Sequence, residues 1–85
     1  MILMRYYVPD LGQTPEDAVD ITVGSSLFRD AMERAARHFA DRPGFQDCSW
    51  PLHFVVILGG ETRIGLVHKR TMPYYVTDQI EVYDP

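Results

Sequence analysis

The chain has 85 residues, of which 46% are apolar and 24% charged, and it carries a net charge of −4. That length allows one domain, residues 1–85, whose small core buries roughly 60–65% of the surface the unfolded chain exposes. Ordinary apolar and charged fractions exclude disorder, and the acidic balance excludes nonspecific nucleic-acid binding, which needs clustered Lys and Arg. Cys48 is the only cysteine, so no internal disulfide can form, as expected of a reducing cytoplasm. No apolar run approaches the roughly 20 residues of a membrane span. The opening MILMRYYV is too short for the apolar region of a signal sequence.

Ile2 to Val8 alternates loosely and is rich in aromatic and β-branched residues, which predicts a strand that Pro9 stops. The stretch PDLGQTPEDAVD reads as a loop. Val19, Ile21 and Val23 alternate with Asp20 and Thr22, a short strand with one wet face. Gly24-Ser25-Ser26 predicts a helix start, with a serine hydroxyl accepting from the free amides of the first turn. The helix should run from about Ser26 to Asp41, ended by Arg42-Pro43-Gly44. At about 100° per residue, Leu27, Phe28, Ala31, Met32, Ala35, Ala36 and Phe39 share one face. Asp30–Arg34, Glu33–Arg37 and Arg37–Asp41 are i,i+4 pairs on the opposite, solvated face.

PGFQDCSWP is a loop with Phe45 and Trp50 as anchors. LHFVVIL is apolar on both sides of its alternation, so the strand belongs in the centre of the sheet. A hairpin turn at Gly59-Gly60-Glu61 leads to a return strand, TRIGLVHK, and PYYVTDQIEVY is a last strand. The expected fold is α+β: an antiparallel sheet of four to five strands with one amphipathic helix packed on one face. One helix cannot cover such a sheet. Adjacent tyrosines in Tyr6-Tyr7 and Tyr74-Tyr75 must point to opposite faces, so one of each pair faces away from the helix.

Catalytic signatures are weak. If the hairpin turns about Gly60-Glu61, His53 opposes His68 and two imidazoles could begin a metal site; a turn centred on Gly59-Gly60 separates them. Cys48 with His53 lacks the orienting group and oxyanion site that nucleophilic catalysis needs. Gly59-Gly60 precedes a strand and is no phosphate loop. No enzyme activity, cofactor or metal is expected. Arg63, Lys69 and Arg70, with the tyrosines, offer an alternative as a small single-stranded nucleic-acid accessory surface.

The acids cluster at Asp10, Glu16, Asp17 and Asp20, and again at Asp78, Glu81 and Asp84, with Tyr74, Tyr75 and Tyr83 beside the second group. If the first and last strands are neighbours, these pool into one acidic patch edged by aromatic anchors, a surface suited to a basic protein partner. An exposed aromatic sheet face also suits a homodimer.

The segments RYYVPDLGQTPEDAVDI, DAMERAARHFADR and WPLHFVVILGGETRIGLVHKRTMPYYV resemble a class of small phage and prophage proteins. Members open with a tyrosine-rich strand and a GQTPEDA-like loop, then a helix, a WPLxF strand, a hairpin and a Pro-aromatic strand. The class includes anti-CRISPR proteins. The resemblance implies a non-enzymatic inhibitor in the cytoplasm of a bacterial host, binding a CRISPR effector complex over its DNA-binding surface, without touching nucleic acid or membrane. Acid is sparser here than in close DNA mimics of that class, so a local patch is the expected mode.

Overall fold

A computed structural model of the chain describes residues 1–45, 47–68 and 80–83. Strands β1 (Ile2–Tyr7) and β2 (Val19–Val23) precede helix α1 (Phe28–Ala40), and β3 (Leu52–Leu58), β4 (Glu61–Val67) and β5 (Ile80–Tyr83) follow it. The five strands form one antiparallel sheet in the order β2-β1-β3-β4-β5. The α+β architecture is the one expected, and the apolar LHFVVIL segment is the central strand.

Alternation sorts the side chains into two faces. Met4, Tyr6, Ile21, Val23, Leu52, Phe54, Val56, Leu58, Val67 and Ile80 meet the helix residues Ala31, Met32, Ala35, Ala36 and Phe39 in a single core. The alanines let α1 lie close to the sheet. Gly65 does the same from below: a Cβ there would sit 2.8 Å from Met32 Sδ and 3.2 Å from the Glu81 carbonyl oxygen. Phe45 stacks on Phe39 at 4.7 Å and Trp50 stacks on Phe54 at 6.0 Å, so both loop aromatics are core anchors as expected. Tyr6 points into the core, and its hydroxyl lies 2.6 Å from His38 Nδ1.

The helix begins two residues later than its expected start at Ser26. The Ser25 hydroxyl accepts from the Leu27 amide at 3.1 Å, which leaves Leu27 as the N-cap with no side-chain cap. Leu27 therefore precedes the apolar stripe it was assigned to and is 64% exposed. The hairpin turns on Gly59 and Gly60 alone, both with positive φ (59° and 79°), the two-residue geometry that matches strand twist. Leu58 then pairs with Glu61 and His53 with Leu66. Glu61 is a strand residue, and His53 does not oppose His68.

Candidate functional site: the sheet face opposite the helix

Residues paired across antiparallel strands share a face. On the face away from α1, Asp20, Arg5, Ile57 and Thr62 form one row. Tyr7, Val55, Ile64 and Tyr83 form the next. His53, Leu66 and Glu81 form a third, and Leu3 sits beside Thr22 at the other end. The middle row is aliphatic between two tyrosines. Val55 is only 5% exposed yet stands outside the helix-side core, whereas Leu3 and Tyr83 are 63% and 43% exposed. A shallow depression of about 220 Å³ opens among Leu3, Arg5, Asp20, Ile57 and the hairpin glycines.

Polar pairs border this apolar centre. Arg5 Nε donates to Asp20 Oδ1 at 2.7 Å and Arg5 Nη2 to Oδ2 at 3.3 Å. The Arg5 hydrogen bond holds the Asp20 carboxyl below its ordinary pKa, and that carboxylate raises Arg5 in turn. Asp10 reaches His53 from the turn after β1. His68 Nε2 lies 3.6 Å from Glu81 Oε2, and the Tyr83 hydroxyl donates to the same oxygen at 3.3 Å. Burial, then the Glu81 charge and this hydrogen bond, push the Tyr83 phenol above its usual range.

Among the described residues, the acids singled out in the sequence stand on several different elements. β1 and β5 are separated by β3 and β4. Asp20 on β2 and Glu81 on β5 occupy opposite edge strands, which lie four strand spacings or roughly 19 Å apart across the sheet. Asp10 is tied to His53. Asp17 Oδ2 accepts the Thr14 amide at 2.8 Å in a capping box, a structural task inside its own turn. Glu16 is exposed on that turn. Of the expected anchors, Tyr83 is on the open face; Tyr74, Tyr75, Asp78 and Asp84 lie outside the described residues. Tyr7, Val55, Ile57, Ile64 and Leu66 were not singled out, although the two-sided apolar pattern of β3 was the signal for a covered second face.

Of the alternative basic surface, Arg63 is the residue described. Arg63 pairs with Val56 on the helix side, its guanidinium 5.2 Å from the Phe28 ring centroid and Nη2 3.2 Å from Glu61 Oε2. Lys69 and Arg70 lie outside the described residues. Cys48 packs against the helix-side core, while His53 is held on the other face. Among the described residues no three His, Cys, Asp or Glu side chains are grouped to hold a metal, and no helix is long and apolar enough to cross a membrane.

No protein-family model, curated protein or solved structure matches the chain. The likeness to small phage proteins therefore rests on the quoted segments alone.

Proposed function

We propose that the chain is a non-enzymatic protein-binding protein that docks through the sheet face opposite α1. The observation that supports this is the row Tyr7–Val55–Ile64–Tyr83 on a face that carries no helix among the described residues, with the pairs Arg5–Asp20, Asp10–His53 and His68–Glu81 around it. An apolar, tyrosine-bearing centre inside a polar rim is the usual anatomy of a protein interface. Both signs of charge stand in that rim, so the fitting partner presents a mixed-charge border around an apolar patch, in place of the uniformly basic surface that pooled acids would require.

A bacterial defence complex, in particular a CRISPR effector, is the partner class that the sequence likeness supports, with the chain acting as an inhibitor by occlusion. The test is affinity capture from a bacterial lysate containing a CRISPR effector, using the wild-type chain beside Leu3→Lys and Tyr83→Lys. Both positions are exposed, so the fold survives either change. Capture of the effector by the wild type and its loss in both variants is expected. An effector retained equally by all three would remove the docking face; capture of a different protein, lost in both variants, would keep the face and remove the CRISPR assignment.

A further inference from the structure

β2 is an edge strand, paired with β1 on one side only. Such an edge presents backbone donors and acceptors that another chain can pair with. Its sequence, Val19-Asp20-Ile21-Thr22-Val23, has the same polarity pattern in both directions. Ile21 and Val23 are buried on the helix side with Val19 partly so, and Asp20 and Thr22 are exposed on the other.

We propose that the chain forms a two-fold homodimer by antiparallel pairing of β2 with β2 of a second copy about Ile21, joining two five-stranded sheets into one. In this register 19 meets 23, 20 meets 22, and 21 meets itself. Each face stays aligned because paired positions have the same parity. Valine and isoleucine abut on the helix side and continue the core. On the other side each Asp20 carboxylate meets the Thr22 hydroxyl of the second copy, twice by symmetry.

The neighbouring registers are poorer. A two-fold at Asp20 sets two carboxylates against each other, which is destabilising. A two-fold at Thr22 pairs only residues 21–23 of the two strands. A one-residue slip turns the apolar positions onto the polar face.

The cleft beside this edge points the same way. It measures about 290 Å³ and lies between Val23 and the helix residues Asp30, Glu33, Arg34 and Arg37. Two acids and two bases make a lining that can complement itself across a two-fold. Glu33 Oε1 is buried beside it without a hydrogen-bond partner among the described residues.

Sedimentation equilibrium of the full chain, from micromolar to millimolar concentration, tests this. A reversible dimer is expected. Thr22→Asp places an acid opposite Asp20 of the second copy at both contacts and should raise the dimer dissociation constant roughly tenfold or more. Thr22→Arg should lower it. Circular dichroism of both variants, with Thr22 exposed, verifies that the fold persists. Tyr83→Lys, at the far edge of the sheet, should leave the dimer unchanged. A monomer at all concentrations, equal dissociation constants for the two Thr22 variants, or a dimer abolished by Tyr83→Lys would each overturn the proposal.

Discussion

Asp10 holds the start of β3 through two contacts with His53: its Oδ2 accepts the His53 backbone N–H at 2.8 Å and lies 3.0 Å from the ring Nδ1. β1 ends at Tyr7, whose pairing with Val55 is the last of the β1–β3 ladder, so Asp10 supplies His53 with an acceptor that the ladder no longer provides. Asp10→Ala should cost about 1 kcal/mol, less than a buried hydrogen bond to a charged group contributes, because both side chains are partly solvated. Asp10→Asn should recover most of it through the amide oxygen. Urea midpoints at constant m-value check both.

Gly65→Ala tests the close approach of α1. The added methyl meets the Met32 thioether, which can swing aside, and the Glu81 carbonyl, which cannot. A loss of about 1–3 kcal/mol is expected. Combining it with Met32→Ala should cost less than the sum of the two single changes, since the second removes half of the clash. A strictly additive double mutant would show that the backbone contact alone sets the penalty.

Gly59→Ala forces a β-carbon into left-handed backbone and should cost about 1–2 kcal/mol. Gly59→Asn should be milder, because asparagine tolerates that conformation. Thermal denaturation of the two variants ranks them directly.

His38 gives a pH dependence. Burial, then the charges of Arg42 and Arg34, depress its pKa below the ordinary 6.5, with Asp41 opposing. The unfolded chain therefore binds the proton first. The contribution of neutral His38 is complete above pH 6.5 and is lost as pH falls from there toward the folded-state pKa. Glu33 runs the other way, its carboxyl raised by burial and by Asp30, but it acts nearer the carboxylate range. Stability should therefore fall as pH drops below 6.5, and His38→Gln should flatten that slope. An unchanged slope in His38→Gln would assign it to another group.

Local patterns carried the fold far. Alternation gave β1, β2 and β3, and the 3.6-residue stripe gave the helix and its buried residues. Two things were not legible. The hairpin register depended on whether Glu61 belonged to the turn, and only the backbone angles at Gly59 and Gly60 decide that. Strand order depended on long-range pairing: β1 sits between β2 and β3, so the first and last strands are not neighbours and Asp20 and Glu81 stand on opposite edge strands. Residue type also hid use. Asp10 and Asp17 look like free surface acids in a Pro-rich loop, yet both are spent on neighbouring amides.

Trp50, the single indole of the chain, rests against Phe54 and Phe39 on the helix side of the sheet. Its fluorescence is therefore an optical gauge of one wall of the molecule. Emission will register departure of α1 during unfolding and stay quiet when something settles on the opposite wall, so one spectrometer trace can separate loss of fold from occupancy.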